Sequence, residues 1–578
     1  MARRQLPSDY SLRGFRRRLA SIEAVPHFAL LGILSGIVTG GLILLFRKLI
    51  EIPLAVYLED DFENFEILAP EYLLGLPLAG GIVLAIFMML TREDSRRLGV
   101  THVLERLARH QGHLPWRNAS IQFIGGIIGL ASGQSGGREG PAIHLGAAGS
   151  SLLGQWLQLP NNSIRILVGC GAAAAISASF NTPIAGVIFS MEVIIMEYTI
   201  AGFIPVMLAA VTATLINQAV YGTTTAFDVP EVAMSGFFDL PYLVFIGITI
   251  GLLAAMFTRL IQQIFRFAPK AVWLRMIIAG ATTGLIALAI PQVLGQGYDT
   301  VNEALAGDLT LSVLIAICAF KIIASAATIG LGVPVGVIGP LLVIGAMAGG
   351  ILGALGTAVF PDSASTPGFY VMMGMGAMMG AALQAPLAAL MAVMELTHNV
   401  NIILPAMLVI IVANMTASHL FGMRSIFIMQ METMGLEFRQ NPLSMALNRA
   451  SVASIMNRNF DRVSVFVSPE RALELLKDKP TWLLVHREKE RPRFILRAED
   501  LARFLEEHPD VEQIDLSEIP ATRKDVTSVM LQATLSEALD MINSKGVEAV
   551  YVNRITAPMI DSVIGIVTRE DIESYYQQ

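Results

Sequence analysis

The five residues Gly137-Arg138-Glu139-Gly140-Pro141 set an arginine and a glutamate into apolar sequence, with residues 121–132 before them and 142–157 after. A charge inside such a run is costly, and it usually faces the protein interior or a water-filled path. The alternative is a short exposed turn between two helices. Two features weigh against a turn. The glycines leave backbone N–H groups unshielded, and Pro141 suits the first turn of a helix running on through His144 and Leu145. A helix start buried in a membrane offers bare N–H groups and a positive dipole end to an anion. Glu139 is then a carboxylate standing where the anion would go.

The same chemistry is written twice. Gly336-Val337-Ile338-Gly339-Pro340 repeats the G-x-x-G-P spacing, again followed by an apolar run over residues 341–355. Gly169-Cys170-Gly171 leads to Asn181-Thr182-Pro183 and then Glu192. Gly374-Met375-Gly376 leads to Gln384-Ala385-Pro386 and then Glu395. Proline to glutamate is nine residues in both, and the two signatures recur at offsets of 199 and 203. An internal duplication with interrupted helices in both halves points to a transport site near the bilayer midplane.

The elements that position these motifs must be membrane helices. Of 578 residues, 54% are hydrophobic and 15% charged, too apolar for a soluble protein of this size. Many runs reach the roughly 20 apolar residues that span a bilayer. Cys170 and Cys318 both lie in apolar runs and suggest neither a disulfide framework nor a metal site. A net charge of −7 carries no nucleic-acid reading. Arg13, Arg16, Arg17 and Arg18 precede a long span without a small-residue cleavage site, so the start does not read as a cleavable signal.

Residues 1–26 are basic and are expected to form a cytoplasmic surface segment. Spans follow at 27–50 and 72–90, with an acidic loop (59–63) between them and a basic loop holding Arg92, Arg96, Arg97, Arg106, Arg109 and Arg117 after them. Basic, acidic, basic puts the N-terminus inside. The apolar segments 121–134, 141–157, 164–180, 183–196 and 203–221 complete a first repeat, about 27–225. The second, about 240–430, has 240–265, 277–290, 313–329, 341–355, 370–383, 386–396 and 402–421. Several fall short of a full span, as half-helices do. A basic loop (Arg259, Arg266, Lys270, Arg275) reads as inside and an acidic one (Asp299, Glu303, Asp308) as outside. The membrane region is thus 27–435, with a linker at 436–449.

Residues 450–578 are richer in charge and read as soluble α/β sequence with a weak duplication. Ser468-Pro469-Glu470-Arg471-Ala472-Leu473 parallels Thr534-Leu535-Ser536-Glu537-Ala538-Leu539. Each copy then gives a short β run, at 482–485 and 549–552. Each closes on a strand entering an acidic helix start, through Arg497-Ala498-Glu499-Asp500 and Thr568-Arg569-Glu570-Asp571. As residues alone, Thr568 and Asp571 equally suit a helix N-cap.

Gly-Arg-Glu-Gly-Pro, its partner loop and the duplicated small-residue helices before Asn-Thr-Pro resemble the CLC chloride channels and proton/chloride exchangers, over roughly residues 27–430. Ile338 stands where that family usually has Phe. The resemblance implies an α-helical membrane protein with a CLC-like inverted-repeat fold of broken and re-entrant helices. It also implies a homodimer with one pore per subunit in a bacterial inner membrane, both termini cytoplasmic. Anion-binding amides would come from Gly137, Arg138, Gly140 and Ile143 in one half and Val337, Ile338 and Gly339 in the other, with Glu139 as gate. The end of the tail resembles a CBS motif, so 450–578 is expected to be a cytosolic regulatory CBS pair. In such pairs Thr and Asp at the positions of Thr568 and Asp571 meet an adenine nucleotide; in the first copy Arg497 replaces the Thr.

Three departures from the family pattern stand out. Arg97-Leu98-Gly99-Val100-Thr101 occupies the place of Gly-Ser-Gly-Ile-Pro; Leu98 cannot donate a hydrogen bond, and Thr101 does so only if the loop is shifted. Phe427 replaces the inner-gate Tyr and can plug a pore without hydrogen-bonding an anion. Both imply weak central anion binding. Val193 follows Glu192 where exchangers carry a proton-relay Glu.

The expected function is therefore transport of chloride or a similar small anion, channel-like because of Val193, with proton-coupled exchange as the alternative. A divalent-cation transporter with CBS domains is the rival of another class. It needs acidic or polar ligands in the spans, where this sequence puts glycines and helix starts. An enzyme is not expected, since no nucleophile–base pair or metal cluster is visible. Glu192, Glu395 and Lys321 read as structural charges bonding helix ends or one another, the many methionines as packing, and His102 and His144 as non-ligands.

Overall fold

The computed structural model describes residues 19, 25–58, 62–223, 227, 236, 239–359, 365–436, 442–487, 492–557 and 560–577. The expected surface segment 1–26 thus lies outside the described residues except at 19, 25 and 26, as does the acidic stretch 59–61. The chain forms two units, Phe28–Trp156 with Ile164–Phe438, and Met1–His27 with Leu157–Ser163 and Arg439–Gln578.

The larger unit is helical. Its first repeat holds α1 (Val25–Leu54), α2 (Pro70–Met89), α3 (Gly99–Arg109), α4 (Trp116–Ala131), α5 (Glu139–Trp156), α6 (Asn161–Phe180), α7 (Pro183–Phe189) and α8 (Ile200–Tyr221). Its second holds α9 (Asp239–Phe267), α10 (Val272–Ala287), α11 (Tyr298–Ala306), α12 (Leu311–Gly330), α13 (Ile338–Val359), α14 (Pro367–Leu383), α15 (Pro386–Thr397), α16 (Ile403–Met415) and α17 (Ile426–Thr433). Among the described residues, eight helices are long and apolar enough to cross a membrane. Leu30, Ile37, Leu45, Phe245, Leu252 and Ile323 stay exposed on these helices, as side chains facing lipid do rather than water.

The duplication in sequence is a duplication in space. α5 and α6 cross so closely that a Cβ on Gly146 would overlap Gly171 O, and one on Gly171 would overlap Gly146 O. α13 and α14 cross in the same way: a Cβ on Gly345 would stand 2.5 Å from Gly374 O, and one on Gly374 would overlap Gly345 O. Gly146 and Gly345 are 199 apart and Gly171 and Gly374 are 203 apart, the offsets of Gly-x-x-Gly-Pro and of the prolines and glutamates; Gly171 thus answers to the first glycine of Gly374-Met375-Gly376 and not to the second. Small residues allow such backbone-to-backbone packing inside a membrane. Asn181 and Gln384 both turn the chain with positive φ (60° and 54°) before the prolines that open α7 and α15.

Glu192 and Glu395 explain how two half-helices end inside apolar surroundings. Ile184 N–H and Ala185 N–H, at the start of α7, donate to Glu395 at 2.9 and 2.7 Å. Leu387 N–H and Ala388 N–H, at the start of α15, donate to Glu192 at 3.4 and 2.8 Å. Each repeat's carboxylate caps the other repeat's half-helix, satisfying N–H groups that lipid cannot. The structural reading of these charges holds. Lys321, fully buried, likewise donates to the carbonyls of Val293, Leu294 and Gly295 at 3.0, 3.5 and 3.1 Å.

Three helices escape the sequence pattern. α3 lies within the basic loop, α11 within the acidic one, and α17 follows the last apolar segment. In α3 the buried Val100, Val103, Leu104 and Leu107 form an apolar stripe at helical spacing, short and flanked by arginines.

The tail unit opens with the short helix α18 (Pro442–Leu447), inside the stretch expected as linker. It continues as β1 (Phe460–Ser464), β2 (Phe466–Val467), α19 (Pro469–Lys477), β3 (Trp482–His486), β4 (Phe494–Arg497), α20 (Ala498–Glu507), β5 (Ile514–Asp515), β6 (Lys524–Met530), α21 (Leu535–Lys545), β7 (Ala549–Ala557), β8 (Ile560–Thr568) and α22 (Arg569–Gln577). The main sheet has the order β1-β3-β4-β6-β7-β8. β1 pairs with β3 in parallel and β3 with β4 antiparallel; β6–β7 and β7–β8 repeat that pattern. The weak sequence duplication is therefore two β-α-β-β-α copies joined through β4 and β6. The paired motifs open the first helix of each copy. Ser468 caps α19, and Thr534 with Glu537 forms a full capping box on α21.

Candidate functional site

Glycine spacing and burial bring the two G-x-x-G-P loops into contact. Gly137 N–H donates to Gly336 O at 2.8 Å and Gly336 N–H donates to Gly137 O at 2.6 Å, an antiparallel bridge between the repeats. No side chain fits there. A Cβ on Gly140 would stand 2.7 Å from Gly336 Cα, and one on Gly336 would stand 2.9 Å from Gly137 O. The starts of α5 and α13 thus meet inside the protein, with Gly137, Glu139, Gly140, Ile143, Val337, Ile338 and Gly339 all buried.

Glu139 lies between them and is fully buried. Its Oε1 accepts a hydrogen bond from the Tyr298 hydroxyl. Its Oε2 has no hydrogen-bond partner of ordinary geometry among the described residues. That oxygen lies against Gly137, whose Cβ position it fills, and within 3.5 Å of where a Cβ on Gly339 would be. The amides of Glu139 and Gly339 face the carboxylate. Arg138 points elsewhere, its Nη2 donating to Ser179 O at 3.0 Å.

The remaining sequence candidates fall in two places. Phe427, near the start of α17, is buried in the same apolar cluster as Ile143, Val337 and Ile338. Thr101, on α3, donates its hydroxyl to Gln430 Oε1 on α17 at 2.8 Å. The Gly99 amide just before it donates to Gln122 Oε1 at 2.8 Å. Both donors at this helix start are thus engaged within the protein. Val193, where an internal acid is absent, is buried in a π-turn among apolar neighbours. His102 Nδ1 and His144 Nε2 are 2.8 Å apart and buried. Among the described residues no group of three or more metal-ligating side chains is gathered.

In the tail, Thr568 and Asp571 bond each other. Asp571 Oδ2 accepts from Thr568 N and Thr568 Oγ1, both at 2.8 Å, and Thr568 Oγ1 accepts from Asp571 N at 3.2 Å. The pair closes the start of α22 as a helix cap does.

Tyr298 is the residue the sequence alone did not single out. The available signal was Gly295-Gln296-Gly297-Tyr298, a turn that needs glycine: Gly295 and Gly297 have φ of 56° and 80°. That turn points a phenol inward from what reads as an outer acidic loop.

Comparisons with known proteins agree with this architecture. The family of voltage gated chloride channels matches residues 79–418, and the CBS domain matches residues 516–577. A ClcB-like chloride channel protein of Ralstonia nicotianae is 32% identical over 362 residues, covering 61% of this chain and 83% of its own length. A proton/chloride exchange transporter, ClcA of Vibrio parahaemolyticus, is 28% identical over 53% of this chain and 68% of its own. In fold, the chain is similar to the crystal structure of a slow cyanobacterial Cl−/H+ antiporter, with TM-score 0.62 and 23% identity over 72% of this chain and 98% of that one. It is also similar to a eukaryotic CLC transporter, with TM-score 0.57 and 19% identity over 97% of this chain and 99% of that one. The family match spans the helices that bring Gly137, Glu139 and Gly336 together, and this chain is therefore a member of the voltage gated chloride channel family, the CLC proteins.

Proposed function

We propose that this chain carries chloride or a similar small anion across the membrane at the meeting point of α5 and α13, with Glu139 as the gate. The observation that carries this reading is the place of the Glu139 carboxylate. It is an acidic side chain buried between two helix starts, the position where exposed N–H groups and two positive dipole ends favour an anion. A carboxylate and a chloride ion compete for the same amides. When Glu139 is protonated or displaced, the amides of Arg138, Gly140 and Ile143 on one side and Val337, Ile338 and Gly339 on the other are left for the ion; the Gly137 amide, expected from sequence to serve it too, is spent on Gly336 O in the bridge between the repeats. Backbone dipoles hold an anion without the trapping strength of a fixed positive charge.

Channel-like conduction is the first reading, because Val193 supplies no titratable group beside Glu192. Proton-coupled exchange is the second, favoured by the relatives described as exchange transporters. The engagement of Thr101 and Gly99 within the protein, with Leu98 just before Gly99 and Phe427 on the same helix as Gln430, supports weak anion binding beyond the central glycines. The further elements of the reading are a homodimer with one pore per subunit, in a bacterial inner membrane with both termini cytoplasmic. They rest on family membership and on the alternation of basic and acidic loops.

For the tail we propose a regulatory CBS pair with an adenine nucleotide meeting Thr568 and Asp571, supported by the CBS match. A ribose there has to share Asp571 with the cap of α22. Adenosine triphosphate titrated calorimetrically into the full chain tests this; saturable heat that Asp571→Ala abolishes supports it, and absence of heat with the wild-type chain rejects it.

Chloride flux from liposomes, with and without a proton ionophore, tests the transport reading. Uphill proton movement driven by a chloride gradient decides for exchange over conduction. Flux of divalent cations without chloride flux refutes both.

A further inference from the structure

We propose that Tyr298 is a positioning residue that holds Glu139 between the two helix starts, and that Glu63 sets Tyr298 through the start of α11. The proposal rests on the reading of Glu139 as gate.

The Tyr298 hydroxyl is the side-chain donor on the Glu139 carboxylate, reaching Oε1. The phenol is buried, its ring 5.3 Å from that of Phe227 and 6.0 Å from that of Phe180. A buried phenol needs a hydrogen-bond partner, and here the partner is the gate itself.

The backbone delivers that hydroxyl from fixed parts. Glu63 accepts from Tyr298 N–H at 2.9 Å and from Gln296 Nε2 at 3.0 Å, so its carboxylate caps α11. Lys321 gathers the carbonyls of Val293, Leu294 and Gly295 just upstream. The turn is also bonded to the loop that carries Glu139: Gly295 N–H donates to Gly133 O at 3.2 Å, and Gly136 N–H donates to Gly295 O at 3.4 Å. Gate and phenol therefore share one scaffold, and their distance is set by backbone hydrogen bonds.

An O–H donated to a carboxylate favours its charged form over the acid. The other charged groups facing the pair are Arg138, at the same helix start, and Glu63. Arg138 remains on Ser179. The phenol thus keeps Glu139 seated between the two helix starts, where it excludes the anion. Without the hydroxyl, the Glu139 side chain loses its side-chain partner and leaves the seat more readily.

The test is chloride efflux from liposomes holding the full-length protein, measured against pH for wild type, Tyr298→Phe, Glu139→Ala and the double variant. Tyr298→Phe keeps the ring, and is expected to raise flux several-fold near neutral pH. It is expected to displace the pH profile of flux from that of wild type, because the gate is then no longer held by the hydroxyl. The double variant is expected to match Glu139→Ala alone, because the hydroxyl then has no gate to hold. A Tyr298→Phe profile that overlies wild type, while Glu139→Ala is flat, removes the positioning role and leaves the gate standing. A Glu139→Ala profile that keeps the wild-type pH dependence removes the gate and this proposal together. Glu63→Gln, with the phenol untouched, is expected to shift the profile the same way by less; an unmoved profile refutes the part assigned to Glu63.

Discussion

Gly137 and Gly336 exchange two backbone hydrogen bonds, at 2.8 and 2.6 Å, and this pair locks the helix starts of the two repeats face to face. The bridge has a sequence cause, since only glycine fits at either position. It has a chemical consequence, since it gathers unshielded amides of two helices around one carboxylate.

Gly137→Ala is expected to break this arrangement. The new methyl would overlap Glu139 Oε2 and stand 2.8 Å from Gly339 N, and overpacking of a closed site costs about 1–3 kcal/mol. Thermal unfolding in detergent checks it. Gly41→Ala, on α1 with nothing within 4 Å of the added Cβ, is the control. It is expected to be neutral or slightly stabilising, as helical Gly→Ala changes are.

Glu192→Ala and Glu395→Ala should act alike, because each removes a cap from the other repeat's half-helix. Loss of a helix cap costs about 1 kcal/mol. Unfolding temperatures that fall by similar amounts support the reciprocal arrangement. A fall in one variant alone contradicts it.

Lys321→Met fills the same space without a donor and leaves the carbonyls of Val293, Leu294 and Gly295 without its ammonium. One orphaned buried acceptor costs about 1–3 kcal/mol, so a clear drop in unfolding temperature is expected. The same variant loosens the turn before Tyr298 and is expected to shift the pH profile of flux in the direction of Tyr298→Phe. A variant with wild-type stability and profile shows that the ammonium does not hold the turn.

Much of this fold is legible in sequence because membrane helices announce themselves by composition and the duplication by spacing. The offsets of 199 and 203, read from Gly-x-x-Gly-Pro and from Pro to Glu, reappear as the Gly146–Gly171 and Gly345–Gly374 crossings. α3 and α11 were not legible, since both are short and lie among arginines or acids that mark loops. For the same reason Tyr298 stayed hidden. Its partner is 159 residues away, and no local pattern records a contact made across the fold. Glu192 and Glu395 were recognisable as structural charges, but that each serves the other repeat appears only when α7 and α15 are seen side by side.

The central claim is that an anion and the Glu139 carboxylate use one seat. Anomalous diffraction from bromide-soaked crystals of Glu139→Gln measures it most directly. A bromide peak is expected between Gly137 and Gly339, beside the amides of residues 139 and 339, where the wild-type carboxylate lies. Well-ordered crystals with no peak there, or with bromide only at sites remote from both glycine loops, contradict it.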